Sequence, residues 1–195
     1  MLFRSIAMLC DEFIGVVVKA DSPLKDGRDL AALLKTDAGA IAAGIATSAG
    51  NTNHITLALI TKRAGGEAKK LRIVVFGSGG ESTTALMGSH VGVVATPAAS
   101  ALPGVQNGAL RMLAVAAPRR LEGPLANVPT WKELGFDVVV ANWRPVIGPR
   151  GLTIEQVAFW EERLARFTQT DEWKREMTET GAVAHFMNSR DLAKY

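Results

Sequence analysis

Short apolar runs alternate with polar segments through the first two-thirds of the chain. Five of these runs have the length of buried strands, and they lie at 14–19, 40–46, 71–76, 91–95 and 110–116. Turn residues and then a stretch with capping signals separate each run from the next. This β-α-β-α alternation predicts an α/β fold with a mainly parallel sheet and helices on both of its faces.

Capping residues mark where the intervening helices begin and end. The predicted helices cover 27–35, 52–63 and 81–87, and a fourth runs from 97 to about 107. Asp26 can cap the first helix, and Gly65 can end the second. Thr96 is predicted to cap the fourth helix, whose first position, Pro97, needs no N–H donor.

The alternation breaks after Ala117, where three prolines mark a loop-rich connection. Beyond it we predict a small helix capped by Thr130, strands at 138–140 and around 146–147, and two helices capped by Thr153 and Thr170. These strands are too few to close a sheet. We therefore expect the tail to complete a domain whose other strands are not in this chain.

Composition limits the chemistry that the chain can perform. Its 195 residues are 48% hydrophobic and 21% charged, which suits a packed core. Cys10 is the only cysteine, so no internal disulfide can form. The three histidines lack metal-ligand spacing, and no apolar run approaches the roughly 18 residues of a membrane span. We expect no metal and no cofactor.

Charge is distributed unevenly along the chain. Residues 13–128 contain twelve basic and seven acidic residues, whereas 129–195 contain nine basic and ten acidic ones. The first part therefore favours an anionic partner. Nucleic acid is not predicted, because the basic cluster at 62–72 lies near a helix end and has no interleaved aromatic residues.

Two polar loops follow predicted parallel strands and precede helices: the first loop at 47–54 and the second loop at 77–83. At such positions the backbone N–H groups and the positive end of the helix dipole face an anion. Open α/β sheets bind ligands at the carboxyl ends of their strands, so both loops are expected to border one cleft. Because the second loop lacks a Gly-Lys-Ser or Gly-Lys-Thr sequence, carboxylate is favoured over phosphate. Simple turn formation is the alternative for each loop alone.

Nucleophilic catalysis is not predicted. Ser48 and His54 lie in one loop, but the chain has no Gly-x-Ser-x-Gly sequence and no acid marked to orient His54. Glu81 stands at a helix start, where capping is its default role. A Rossmann-like nucleotide-binding or enzymatic domain is kept as the alternative.

Sequence segments in a particular order carry a resemblance to a known family. They are ADSP (20–23), GIATSAGNTNH (44–54), FGSGGE (76–81), ALMGSHV (85–91), VPT (128–130) and NWR (142–144). Together they resemble the substrate-binding receptors of tripartite tricarboxylate transporters, also called the Bug family. The resemblance covers the chain from Cys10 onward.

The resemblance implies a periplasmic-binding-protein-like clamshell that holds a carboxylate between two lobes. It implies a non-enzymatic, monomeric, periplasmic receptor that delivers its ligand to the permease subunits of such a transporter. Residues 1–12 would end the crossover from the first lobe, with 1–5 foreign to the family. Residues 13–117 would form the second lobe, 118–128 a hinge crossover and 129–195 the C-terminal part of the first lobe. The signal peptide and the first lobe's opening segment would lie upstream, because the apolar run at 1–10 is too short for a secretory signal.

Positions that match the family's ligand loops are expected to contact the carboxylate. They are Ser48, Asn51, Thr52, Asn53 and His54 in the first loop, Gly79, Gly80 and Glu81 in the second loop, and Thr96 and Arg144 elsewhere. Amino-acid-binding relatives have an aspartate where this chain has Thr96, which favours a non-amino carboxylate. Arg144 suits bidentate contact with a carboxylate, although a role at a strand edge is equally open. A regulatory ligand-binding domain of a cytoplasmic protein is a further alternative, because it would bind its ligand between two lobes in the same way.

Overall fold

A computed structural model describes residues 3–195. Its strands are β1 (Phe3–Lys19), β2 (Ala42–Ala46), β3 (Arg72–Phe76), β4 (Val93–Pro97), β5 (Leu110–Val115), β6 (Ala141–Pro149) and β7 (Val183–Asn188). Its α-helices are α1 (Gly27–Thr36), α2 (Thr52–Ala64), α3 (Gly79–Met87), α4 (Ala98–Gln106), α5 (Ile154–Phe167), α6 (Asp171–Thr180) and α7 (Ser189–Leu192). The fold class is therefore mixed α/β, as the alternation predicts.

β1 joins two groups of strands. From Ile14 onward it pairs antiparallel with β4 and β5, in a main sheet with the order β3-β2-β4-β1-β5. From Phe3 to Phe13 it pairs antiparallel with β6 and β7, and these three strands form a tail sheet. β2 is parallel to both β3 and β4. The parallel part of the main sheet thus comprises the strands that precede the two loops.

The carboxyl ends of the parallel strands point towards the tail sheet. Pro97, at the end of β4, lies opposite Ile14, and Ala141, at the start of β6, lies opposite Phe13. The last residue of β4 is therefore beside the point where β1 passes from one sheet to the other. We call this point the junction.

The two sides of β1 carry different strands. Ala116, just after β5, donates its amide hydrogen to the carbonyl oxygen of Ile14. Ala116 also accepts the amide hydrogen of Val140, the residue before β6, so the start of β6 lies beside the end of β5. β5 and β6 therefore lie on one side of β1, and β4 and β7 lie on the other. This arrangement places β7 on the side of the two loops.

Two hydrophobic clusters hold the helices against the main sheet. One contains Leu30, Ile45, Leu57 and Trp131, and the other contains Leu86 and Val94 among its buried members. Each fully buried aliphatic side chain contributes about 1.5–3 kcal/mol relative to an exposed one. β2 and β4 are buried along nearly their whole length, and β3 pairs with β2 at the edge of the sheet.

Most predicted helices are confirmed together with their caps. The Asp26 carboxylate accepts hydrogen bonds from the amides of Arg28 and Asp29, and Gly65 ends α2 in the left-handed conformation. Thr153 and Gln156 form a reciprocal capping box at the start of α5. These signals are local, so they survive in the folded chain.

Three predicted elements are wrong. Thr96 does not cap α4: it is the fourth residue of β4, and the cap position is Pro97, which makes no side-chain bond. Residues 138–140 are not a strand, although Val140 donates its amide hydrogen to the carbonyl of Ala116. The segment after Thr130 is a turn rather than a helix, closed by reciprocal bonds between Thr130 and Glu133.

The tail contains a strand that the sequence pattern did not predict. β7 pairs with β1 from Ala7 to Asp11, on the side opposite β6. Among residues 3–195, no helix combines the length and the apolar character needed to cross a bilayer. The same residues contain no cluster of three or more histidine, cysteine or acidic side chains suited to a metal ion.

Candidate anion-binding site at the junction

The first loop begins with a strained residue and ends in a capped helix. Thr47 has φ of 65°, and Gly50 has φ of 85°. Asn51 occupies the cap position of α2, where its Oδ1 accepts the amide hydrogen of His54 at 3.1 Å. Its Nδ2 donates to the carbonyl of Ala46 at 2.6 Å and to Thr47 Oγ1 at 3.1 Å. Asn51 therefore fixes the loop rather than projecting from it.

His54 folds back over the first loop. The amide of Gly50 donates to His54 Nδ1 at 3.0 Å, which in a neutral ring leaves the hydrogen on Nε2. The ring is partly exposed, so that N–H is available as a donor. Ser48 is exposed, whereas Asn53 is buried and its Oδ1 has no hydrogen-bond partner.

The second loop is closed by its own acid. Ser78 caps α3, accepting the amide hydrogen of Glu81 at 3.1 Å. Glu81 Oε2 in turn accepts the amide hydrogen of Gly77 at 3.0 Å. The carboxylate is therefore directed back onto the loop, as a capping role predicts.

Thr96 supports the second loop from beneath. Its side chain is fully buried, and its Oγ1 has no hydrogen-bond partner. A Cβ atom added to Gly79 would lie 3.0 Å from this Oγ1, so the start of α3 approaches β4 more closely than a side chain would allow. The closeness explains the glycine at this position.

Sheet pairing holds the two loops together. Ala46 and Phe76, the last residues of β2 and β3, lie opposite each other in parallel register. One residue further along, the amide of Thr47 donates to the carbonyl of Phe76 at 2.8 Å. Both loops therefore open at the same edge of the main sheet, next to the junction.

Four backbone amides at this edge are left without protein acceptors. They belong to the first two residues of α2 and α3: Thr52, Asn53, Gly79 and Gly80. Within the described part of the chain, none of the four donates to another group. Such N–H groups, with the positive ends of two helix dipoles, attract a negatively charged group.

Arg144 lies on β6, which pairs with β1 on the same side as β5. Its guanidinium forms an ion pair with Glu12, with Nε 2.7 Å from Oε2. Half of the side chain is exposed. Sequence reasoning missed Glu12 as its partner, because the two residues are 132 positions apart and meet only through the pairing of β1 with β6.

A larger concavity lies at the other edge of the main sheet. It has a volume of about 470 Å³ and is lined by the strand beginnings near Ala42, Arg72 and Gly92. None of the ten expected ligand residues lines it. The two loops thus lie at the opposite edge of the main sheet from this concavity.

Comparisons with known proteins identify the family. Residues 2–195 match the sequence profile of the tripartite tricarboxylate transporter family receptor. The match includes residues 2–5, which were expected to be foreign, and residues 3–5 pair with β6 as part of β1. The UPF0065 protein in the gbd 5′ region of Cupriavidus necator is 28% identical over 181 residues, which are 93% of this chain and 54% of that protein.

Solved structures share the fold. An R. palustris protein solved with adipate has a TM-score of 0.88 at 23% identity, covering 100% of this chain and 64% of that one. MatC from Rhodopseudomonas palustris with bound malate has a TM-score of 0.78 at 22% identity, covering 93% of this chain and 60% of that one. The chain therefore spans about half the length of the curated relative and less than two-thirds of these structures. By its match over residues 2–195, the chain belongs to the tripartite tricarboxylate transporter receptor family.

Proposed function

We propose that this chain supplies one ligand-binding lobe, and part of a second lobe, of a monomeric periplasmic receptor for a small carboxylate. The lobes correspond to 13–117 and to 129–195, with 118–128 as the hinge crossover and 1–12 as the end of the other crossover. The single observation that carries the proposal is the set of four unpaired amides at two helix starts on one sheet edge.

The energies of hydrogen bonds and helix dipoles favour a negatively charged ligand at this edge of the main sheet. A hydrogen bond to an ionised group contributes about 1.5–3 kcal/mol, roughly twice a neutral one. Each helix dipole adds about 0.3–1 kcal/mol for an anion at its start. A carboxylate that accepts hydrogen bonds from two or more of the four amides therefore gains more binding free energy than a neutral ligand of the same shape.

The ten residues expected to bind the ligand fall into two groups: those that contact it and those that hold the contacting groups in position. Direct contact is assigned to the Ser48 hydroxyl, to His54 Nε2–H and to the amides of Thr52, Asn53, Gly79 and Gly80. Asn51, Glu81 and Thr96 hold those groups in position through the bonds and the packing described above. Arg144 is assigned to a second carboxylate group of the ligand, in exchange for Glu12.

A ligand without an amino group fits the charges of the site best. Thr96 is uncharged and buried, and the Glu81 carboxylate is turned onto Gly77 N–H. An ammonium group would thus meet no available acid among the expected ligand residues. The two R. palustris structures were solved with adipate and with malate, which are non-amino dicarboxylates. We extend that class, with tricarboxylates, to this chain.

Delivery to a membrane permease of the tripartite tricarboxylate type completes the proposal. Binding by amides changes no covalent bond, so the receptor is assigned no catalytic step and no cofactor. The partner is a permease rather than nucleic acid, because the basic cluster at 62–72 has no interleaved aromatic residues.

Calorimetric titration tests this function. The protein would be expressed as its genome encodes it, including any coding sequence upstream of Met1, and titrated with malate, adipate, citrate, glutamate and glutamine. We expect saturable binding of at least one non-amino di- or tricarboxylate, and binding of glutamate at least about tenfold weaker, a difference of 1.4 kcal/mol. Tighter binding of glutamate, or no binding of any carboxylate, would contradict the proposal.

A further inference from the structure

Thr47, the first residue of the first loop, forms a strained turn. The amide of Ser48 donates to the carbonyl of Ala46 at 2.9 Å, which with the positive φ of Thr47, 65°, makes a γ-turn. This form of the γ-turn is rare and strained, and a β-branched residue with positive φ is an outlier. The conformation therefore costs free energy, which other contacts of the folded chain offset.

Glycine occupies the other positions of this kind, with one exception. Among residues 3–195, seven glycines have positive φ, and the non-glycine residues with positive φ are Thr47 and Ser89. The Ser89 hydroxyl accepts a hydrogen bond from Lys19 Nζ at 3.1 Å. A side chain at such a position is therefore expected to supply a contact that glycine cannot make.

Backbone and side-chain hydrogen bonds hold Thr47 in place. Its amide donates to the carbonyl of Phe76 at 2.8 Å. Asn51 Nδ2 donates to Thr47 Oγ1 at 3.1 Å and to the Ala46 carbonyl at 2.6 Å. Thr47 is thus bonded to the last residue before the second loop and to the cap residue of α2. Its hydroxyl lies beside the start of α2, at the edge of the main sheet where both loops open.

The Thr47 hydroxyl has a hydrogen left to donate. Its oxygen accepts the bond from Asn51, and residues 3–195 provide no acceptor for its own hydrogen. Thr47 is exposed, as is its bond to Asn51, so a ligand at this edge can reach the hydroxyl. A hydroxyl that already accepts one hydrogen bond is polarised and donates more strongly. Because the unpaired amides of Thr52 and Asn53 directly follow Asn51, the hydroxyl is a further donor at the same helix start.

We propose that Thr47 is an additional ligand-binding residue, whose hydroxyl donates a hydrogen bond to the carboxylate that also accepts from the first amides of α2. The inference rests on the proposed function and adds a residue to the ten already expected to bind the ligand. It accounts for the strained turn, because glycine would fit the backbone better but would supply no donor. Threonine at this position thus favours binding over stability.

Three substitutions at Thr47 test the inference by separating affinity from stability. The protein as encoded would be titrated by calorimetry with whichever of malate, adipate and citrate binds it most tightly. Thr47→Gly and Thr47→Val both remove the donor, so each should weaken binding at least about tenfold, whereas Thr47→Ser should restore most of the affinity. Without ligand, Thr47→Gly should melt at a higher temperature than Thr47→Val, because only glycine relieves the turn. Unweakened binding by Thr47→Gly and Thr47→Val would overturn the inference.

Two controls show whether the hydroxyl itself contacts the ligand. Ser89→Gly relieves a positive φ at the opposite edge of the main sheet and should leave carboxylate binding unchanged. In an Asn51→Ser background, which lacks the Nδ2 donor, Thr47→Val should still weaken binding at least about tenfold. A loss that disappears in this background would mean that Thr47 acts only through Asn51, and the inference would be wrong. Equal losses in Ser89→Gly and Thr47→Gly would refute it as well.

Failure of this inference is distinguishable from failure of the proposed function. Carboxylate binding by the native protein is measured in the same titrations. If the native protein, Thr47→Gly and Thr47→Val all bind the carboxylate equally well, only the role of Thr47 is refuted. If the native protein binds none of the three carboxylates, the proposed function falls and this inference falls with it.

Discussion

The amide nitrogen of Thr47 lies 2.8 Å from the carbonyl oxygen of Phe76, so the first residue after β2 is hydrogen-bonded to the last residue of β3. This bond extends the parallel pairing by one step beyond the strands. The two loops consequently cannot separate without breaking it. Preorganisation of this kind lowers the entropy lost when a ligand draws two loops together.

Alanine at Gly79 should destabilise the protein, whereas alanine at Gly80 should not. The added Cβ at Gly79 meets the buried Thr96 Oγ1 at 3.0 Å, but at Gly80 the nearest atom is Ser78 Oγ at 3.8 Å. Both changes gain similar helix propensity, so we expect Gly79→Ala to be less stable than Gly80→Ala by about 1 kcal/mol in urea unfolding. The double variant Gly79→Ala/Thr96→Ala should recover part of the difference relative to Thr96→Ala. Equal stabilities of the two alanine variants would refute the close approach.

Neutralising Glu81 should tighten carboxylate binding. Glu81→Gln keeps an oxygen for Gly77 N–H but removes a negative charge beside the proposed anion site. A charge of this kind at a helix start is worth about 0.3–1 kcal/mol, so we expect affinity to rise about two- to fivefold at low salt. Glu155→Gln changes the same charge at the start of α5 and serves as the control in calorimetry. Weaker binding by Glu81→Gln would show that the carboxylate itself contacts the ligand.

Changing Asn51 to aspartate should distinguish the role of this residue in capping α2 from its role in holding the first loop in place. Aspartate can still accept the amide hydrogen of His54, but it loses the donors to Ala46 and Thr47 and adds a negative charge. We expect a loss of stability of about 1–3 kcal/mol and carboxylate binding at least about tenfold weaker. Asn51→Ser retains a capping oxygen without the charge and isolates the electrostatic part. Unchanged affinity in Asn51→Asp would exclude an anion from the first loop.

Removal of the Arg144 guanidinium tests whether this residue has more than a structural role. If it reaches a second carboxylate of the ligand, Arg144→Met should weaken dicarboxylate binding about tenfold or more, while Arg150→Met should not. A monocarboxylate of the same length should show a smaller loss. If calorimetry finds identical losses for both ligands, Arg144 serves only to pair with Glu12 at the strand edge.

Stability should decline at alkaline pH in a way that depends on Cys10. Burial, with the negative charge of Glu12, raises the pKa of the Cys10 thiol from 9.0 to about 11. A raised pKa means that the folded state holds the proton more tightly, so this contribution is complete below pH 9 and is lost between pH 9 and about 11. We expect the urea midpoint of the native protein to fall more steeply over this range than that of Cys10→Ala. Parallel curves would show that the thiol titrates normally.

Local signals in the sequence account for the parts of the fold that were predicted. Asp26, Thr153 and Thr170 cap helices through bonds to residues two or three positions away, so nothing distant is needed to recognise them. The order of strands and loops likewise placed both loops at one sheet edge. The fold class and the position of the candidate site could therefore be inferred before any coordinates.

Long-range pairing accounts for what was missed. Thr96 precedes a proline and a helix, which is the pattern of a cap, but pairing with Gly15 extends β4 through it. β7 became a strand because β1 offers a free edge almost 180 residues earlier. The partnership of Arg144 with Glu12, and that of His185 with Asp11, depends on the same long strand. No local pattern encodes these contacts.

The 17 residues of β1 run through both sheets, so one continuous strand joins the main sheet to the tail sheet. Unfolding of β1 would expose the hydrogen-bonding edges of its neighbours in both sheets. The two sheets should therefore unfold together rather than one after the other. Amide exchange near Cys10 and near Val17 would then report a single opening event. A displacement of the tail sheet is therefore transmitted along β1 to the carboxyl ends of the parallel strands.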